Sequence, residues 1–368
     1  MIGQLCALAL ATGFATPSRA EDQAFFAILA ESKVGRMAGM EPIDLGDLPP
    51  GFKLPPEAMM FSGKATRILN MRLWSQGIAP ANASAFVNPP SGLKQGEKLD
   101  LSLYRPEASA TSGGKVRDFD PDSNPEFTVK IYWGSSETVK EGQPKVFKWA
   151  GLSDDKKEAM RQRAREARAG NSYFYKPNWT TGYWPGEKQS VNIGTDASLV
   201  GTYKLTTNYT GNVEIEAPGE VNFLDPIALS SPNLNKKVDL KKSIALSWGA
   251  IPNVLGQYGT IMGMEGKNTM VFWLSSEVFT EDLLADMGFL QMAQIRDFVA
   301  KTIFMAPSQT SVNVPAAIFQ NADFAMLNMA GYGHGSALEN AQPLPRIQTK
   351  TSLMVMLGGK KMDFAPQP

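Results

Sequence analysis

Two hexapeptides carry residue types suited to acid–base or acyl-transfer chemistry. They are Tyr-Trp-Gly-Ser-Ser-Glu at 132–137 and Phe-Trp-Leu-Ser-Ser-Glu at 272–277, in a chain with seven tryptophans. A serine becomes a nucleophile only beside a base that a third group orients. The sequence has one histidine, His334, in a Gly-Tyr-Gly-His-Gly-Ser stretch, so any Ser-His-acid set must use it. No Gly-x-Ser-x-Gly elbow occurs. Glu137 and Glu277 would form a glycosidase pair only if both faced one substrate. Each instead follows Ser-Ser at an expected strand end, where hydroxyls accept backbone N–H bonds and a carboxylate favours a helix start. The motif reads as scaffold, and the expected catalytic set is empty. The rival reading is a hydrolase built on His334.

Three further groups are candidates for binding. Residues 171–186 concentrate Tyr173, Phe174, Tyr175, Trp179, Tyr183 and Trp184 in a Gly- and Pro-containing stretch. Read as a loop, these aromatics would stack on sugar rings or anchor a protein partner. The acidic run around Asp118, Asp120 and Asp122 spaces oxygen ligands as a calcium loop begins. Ser123 stands where the turn glycine belongs and Val129 where the bidentate acid belongs, so an EF-hand is excluded. The eighteen methionines include Met262/Met264 and Met354/Met356, pairs at strand spacing that share a face. Thioethers suit soft metals such as copper, and they also suit flexible core filling. No phosphate loop, dinucleotide fingerprint or zinc spacing is present, and no cofactor is expected.

Mostly strands must position these residues. Strands are expected at 65–74, 83–87, 99–103, 127–133, 244–248, 257–264, 269–274, 310–314, 323–332 and 347–357, with 99–103 half-buried and alternating at period two. A polar helix is expected at 153–169, with Ser153 as N-cap, Asp154 and Asp155 in its first turn and Gly170 at its end. A short helix is expected within 23–37. A helical insertion at 277–305 carries Leu283, Met287, Leu290, Ile295, Phe298 and Val299 at helical spacing, with Gly288 as a break.

The first twenty residues read as a secretory signal: an apolar run from Leu5 to Ala15, then small residues at Ser18 and Ala20 before Glu21-Asp22. The one cysteine, Cys6, lies inside it, so the mature chain would have no disulfide or thiolate site. Lys+Arg and Asp+Glu number 36 each, which gives no global field for nucleic acid. No stretch of the mature chain is apolar for long enough to form a spanning helix. A periplasmic or extracellular location is expected.

The two hexapeptides belong to a longer echo. Ser-Val-Asn-Ile at 190–193 mirrors Ser-Val-Asn-Val at 311–314, in the same order after each Trp-x-Ser-Ser-Glu, which suggests duplication. The segment Ile-Ala-Leu-Ser-Trp (244–248), followed by Pro252 and Gly256-Gln257-Tyr258, resembles the B and C strands of a fibronectin type III or related immunoglobulin-like domain. Residues 310–319 and the strand after them resemble its E and F strands. The block Tyr132, Trp133, Gly134 and Glu137, followed by Gly142-Gln143-Pro144, resembles uncharacterised exported proteins of bacteria. These resemblances imply export and a sandwich architecture.

The expected organisation is mainly β: a signal at 1–20, a Pro-rich leader at 21–63, two tandem immunoglobulin-like β-sandwiches at 64–219 and 220–358, each with a helical insertion, and a tail at 359–368. The expected function is a non-catalytic exported module that contacts cell-envelope glycan or protein through the aromatic loop. A calcium- or copper-binding envelope protein is the other alternative.

Overall fold

The structure is a computed structural model, and it describes residues 24–42, 61–105, 126–155, 157–158, 179–187, 189–279 and 288–360. Strands dominate these residues. In chain order they are β1 (Phe25–Met37), β2 (Thr66–Ser75), β3 (Ala85–Asn88), β4 (Leu99–Asp100), β5 (Ser102–Tyr104), β6 (Thr128–Trp133) and β7 (Lys145–Lys148). Then come β8 (Thr180–Trp184), β9 (Val191–Ile193), β10 (Gly201–Thr207), β11 (Val213–Ala217), β12 (Leu229–Ser231) and β13 (Ile244–Trp248). The last are β14 (Val254–Glu265), β15 (Thr269–Leu274), β16 (Ser311–Val314), β17 (Phe324–Gly333), β18 (Ser336–Ala337) and β19 (Leu344–Gly358). Helix α1 spans Met292–Ala300, between β15 and β16.

The protein is mainly β and built in layers. A 12-stranded sheet runs β5-β8-β2-β1-β19-β17-β14-β15-β6-β7, with β9 beside β2 and β18 beside β19. Two smaller sheets, β11-β10-β3-β4 and β12-β13-β16, complete it. Both pack against the same face of the long sheet. Val87, Tyr203, Leu205 and Ile215 of the first small sheet join Phe26, Ile28, Leu69, Met71 and Ile347 in one core. Leu246, Trp248, Val312 and Val314 of the second join Ile261, Trp273, Leu327 and Val355 in another. On the opposite face, α1 and the turn at Trp149–Gly151 cover Tyr258, Leu274, Phe304 and Tyr332. Phe25, Ala27, Leu29, Trp74 and Trp179 form a further cluster.

Several expectations change here. Residues 25–37 form a strand, not a helix. β1 lies in the middle of the long sheet, and Phe25 to Ala30 are buried on both faces, so its apolar run is nearly continuous and lacks the alternation of a half-buried strand. That burial outweighs the helix propensity of its Ala, Glu, Lys and Met. The part of the expected leader at 24–37 is therefore a sheet strand, while 43–60 lie outside the described residues. β6 and β7, assigned by sequence to the first unit, sit in the half of the long sheet formed by β14, β15, β17 and β19. The halves of the echo are not equivalent in place: β9 (Val191–Ile193) pairs with β2 in the long sheet, whereas β16 (Ser311–Val314) pairs with β13 in a small one. Most of the helix at 153–169 lies outside the described residues, as do 280–287. α1 begins with a reciprocal Gln291/Gln294 capping box and buries Ile295.

One buried amide ties the second small sheet to the long one. Gln257, 1% exposed, accepts the indole N–H of Trp248 at 2.8 Å and donates to the carbonyls of Ala306 (3.1 Å) and Gln309 (2.9 Å). Gln257→Leu should cost about 2–4 kcal/mol, because it strands several buried groups at once; urea unfolding measures this. Tyr203 is a second polar anchor. Its buried hydroxyl donates to Leu199 O at 2.9 Å, and burial raises its pKa. The raised folded value means the contribution is intact below the unfolded phenol pKa of about 10 and is lost as pH rises beyond it. The stability advantage of wild type over Tyr203→Phe should thus hold at about 1 kcal/mol near pH 8 and shrink above about pH 10. Denaturant midpoints across pH test this.

Candidate functional site

The two hexapeptides meet. β6 and β15 are adjacent parallel strands, with Tyr132 opposite Trp273 and Trp133 opposite Leu274. This register is one residue out of step with the sequence echo, so the two tryptophans point to opposite faces. Trp273 is fully buried, and its indole N–H donates to Gly134 O at 3.1 Å. Trp133 packs on Phe279 with ring centroids 5.1 Å apart.

The Ser-Ser-Glu turns that follow interlock. Glu277 accepts the Ser135 backbone N–H at 2.9 Å with one oxygen and the Lys140 ammonium at 2.8 Å with the other. Ser135 Oγ accepts the Asn313 N–H at 3.0 Å, and the Glu137 carbonyl accepts the Ala316 N–H at 2.9 Å. In the second copy, Ser275 Oγ accepts the Gly259 N–H at 2.8 Å and Ser276 Oγ donates to Val278 O at 2.6 Å. These hydroxyls and the Glu277 carboxylate are engaged in holding turns. Glu277→Ala should cost about 1 kcal/mol, since one hydrogen bond to a charge is lost and the half-exposed Lys140 pair adds little. Thermal unfolding checks it; a loss above about 3 kcal/mol would mean the turn carries more than these contacts.

His334 lies in the short connection between β17 and β18 and is half-buried. Its carbonyl accepts the Thr349 hydroxyl at 2.7 Å, and the next amide, Gly335 N–H, points at Met292 Sδ at 3.4 Å. Strand β19 and α1 thus fix the backbone here.

The aromatic segment is rearranged by the fold. Trp179 is 8% exposed and stacks on Phe25, with centroids 6.1 Å apart and planes at 21°. It is core, not a loop contact. Residues 180–184, expected within a loop, form strand β8 between β5 and β2. Alternation along β8 then splits its aromatics. Trp184 faces Met71 and packs against the core of the first small sheet. Tyr183 faces Arg72 and Ser102 on the other side. Tyr173 and Tyr175 lie outside the described residues, and so do Asp118, Asp120 and Asp122.

At the β5–β8 edge, Tyr183 makes an edge-on contact with Tyr104, with centroids 5.5 Å apart at 67°. Tyr104 is 42% exposed. Beside Tyr183, Arg72 donates through Nε to Asn70 Oδ1 at 3.0 Å, and Asn70 donates to Ser190 Oγ at 3.3 Å. Burial lowers the Arg72 pKa, an effect that Tyr183 partly opposes; a guanidinium starts high enough to stay charged. The site thus holds two phenol rings and an oriented cation on one strip of sheet. Such a strip offers apolar ring faces, phenol hydroxyls and a fork suited to carboxylate. Sequence reasoning found Tyr183 but missed Tyr104 and Arg72. The only signal for Tyr104 was its place at the end of the alternating Leu99-Leu101-Leu103 run.

Among the described residues, no three of His, Cys, Asp and Glu are grouped to hold a metal ion, and no helix is long and apolar enough to cross a membrane. No protein-family model matches the chain, and no curated protein matches it.

Proposed function

We propose that this protein is a non-catalytic binding module, exported to the periplasm or cell surface, that contacts envelope glycan or protein. The observation that carries the reading is the contact of exposed Tyr104 with half-buried Tyr183 beside Arg72 at the β5–β8 edge. The leading apolar run with small residues at Ser18 and Ala20 supports export. The contact surface moves from the expected aromatic loop to this edge, because Trp179 and Trp184 pack inward. Carboxylate-bearing saccharides or acidic peptide segments suit the strip best, through ring stacking and the guanidinium.

We also read the second half as a fibronectin III-like sandwich. The order β12-β13-β16 against β15-β14-β17-β19 supports this, matching strands A-B-E against C′-C-F-G. The first half does not repeat that order.

Tyr104→Ala/Tyr183→Ala should lower retention on a purified envelope fraction at least tenfold with little change in melting temperature. Trp179→Ala should instead destabilise the fold by about 3–5 kcal/mol, as for a buried Trp. Unchanged retention of a folded double tyrosine variant overturns the reading.

A further inference from the structure

The two Met-x-Met pairs are brought together by a strand that sequence alone does not place between them. Met262 and Met264 lie on β14, and Met354 and Met356 lie on β19. Strand β17 runs between β14 and β19 and carries Met326. Met326 is the direct partner of Met262 on one side and of Met356 on the other. Directly paired residues share a face, with Cα atoms about 4.5–5.5 Å apart. Met264 and Met354 lie on that same face but flank the row on opposite sides, since Met264 pairs with Phe324 and Met354 with Asn328. The thioethers of Met262, Met326 and Met356, each on a side chain with three rotatable bonds, therefore stand within reach of a common point. The row continues outward to Met37, which pairs with Met356, and Met270 pairs with Met264.

Packing alone does not account for this placement. Beside this row, the alternate positions Ile261, Gly263, Ala325, Leu327, Val355 and Leu357 are buried and carry no methionine, and on that side Met329, further along β17, is core. Met262, Met326 and Met356 occupy the half-buried side, where an ion has access. Strands also favour branched and aromatic residues over a linear side chain. The choice of methionine at three facing positions thus runs against strand propensity.

We propose that Met262, Met326 and Met356 form a binding site for a soft monovalent cation of the Cu(I) class, held by thioether sulfurs. Thioethers select Cu(I) over harder divalent ions. They carry no proton to displace, so affinity is nearly independent of pH, unlike a site built on His or carboxylate. The site lies on the half of the sheet away from the Tyr104–Tyr183 edge and is independent of the function proposed above.

The test is titration of the full chain with Cu(I), under anaerobic reducing conditions, against a chromophoric Cu(I) chelator at pH 5.5 and 7.5. Ag(I) serves as the redox-inert probe in parallel. One equivalent should bind, with affinities at the two pH values within about threefold. In a sample labelled at the methionine methyl groups, Ag(I) should shift the signals of Met262, Met326 and Met356 and leave that of buried Met305 in place. Met326→Leu and Met262→Leu/Met356→Leu conserve volume and should keep the fold. Each should weaken binding at least tenfold, whereas Met292→Leu should not. Failure of wild type to withdraw Cu(I) from the chelator overturns the proposal. So does equal binding by a folded Met326→Leu variant, or a strong loss of affinity at pH 5.5.

Discussion

The parallel ladder between β1 and β19 is the interaction on which the rest of the fold depends. It pairs every residue of the 13-residue β1, from Phe25 opposite Leu344 to Met37 opposite Met356. On one side of it, β2, β8, β9 and β5 form one half of the long sheet. On the other, β17, β14, β15, β6 and β7 form the other half. Each half carries its own small sheet on the same face. Without β1, the core containing Phe26, Ile28 and Ala30 would lose its centre, and β19 would present a 15-residue open edge. Two sandwiches are thereby fused through a shared layer rather than tethered by a linker.

A ladder of this kind needs a fixed register, because a slip of one residue turns every side chain to the other face. Polar groups on β1 and β19 supply that register. Glu31 stands opposite Lys350, their charges 3.6 Å apart with both side chains nearly buried, and it also accepts a hydrogen bond from the Ser352 hydroxyl. The Lys350 ammonium sits 4.8 Å from the centre of the Phe289 ring. On the opposite face, Ser32 donates to Leu224 O at 2.5 Å. A slipped register would turn Glu31 into the apolar side and leave these partners unmatched. A buried ion pair contributes little net stability, but misplacing one is expensive, which makes it a register key. Along β19 the same face runs from Gln348 and Lys350 to Met354 and Met356, so the key separates a polar half from the methionine field.

What the sequence could reveal follows from how each element is solvated. Strands β13 to β17 were legible because one face of each is packed and the other is partly open, so Ile244 to Trp248 and Phe324 to Met329 alternate. β1 was not, since burial on both faces erases the alternation. β8 was hidden by its Gly-Tyr-Trp-Pro composition, which reads as a turn until β5 and β2 flank it. The methionine pairs were visible as two separate motifs. Their union across Met326 depends on the order of strands in a sheet, which no local pattern encodes. The same holds for Tyr183: its residue type was legible, while its neighbours Tyr104 and Arg72 come from distant strands.

The echoed hexapeptides illustrate how a repeat can build an edge rather than a second site. β6 and β7 extend the sheet beyond β15, where exposed backbone would otherwise invite pairing with another chain. β7 is only four residues, Lys-Val-Phe-Lys, and its flanking lysines oppose such pairing. Past the end of β7, the Gln143 side chain takes over the ladder: it accepts the Trp133 N–H at 3.2 Å and donates to the Trp133 carbonyl at 2.8 Å. Gly134 then turns with φ +84°, and a Cβ there would stand 2.6 Å from Lys140 Nζ and 3.0 Å from Glu277 Oε2. Trp133, Gly134, Gln143 and Glu277 thus form one lock that closes the edge against the second copy of the motif. The residues of this block have a physical task here that requires no chemistry. Of the motif residues that first suggested catalysis, Glu277 is held in that lock, and the hydroxyls of Ser135, Ser275 and Ser276 are bonded to nearby backbone.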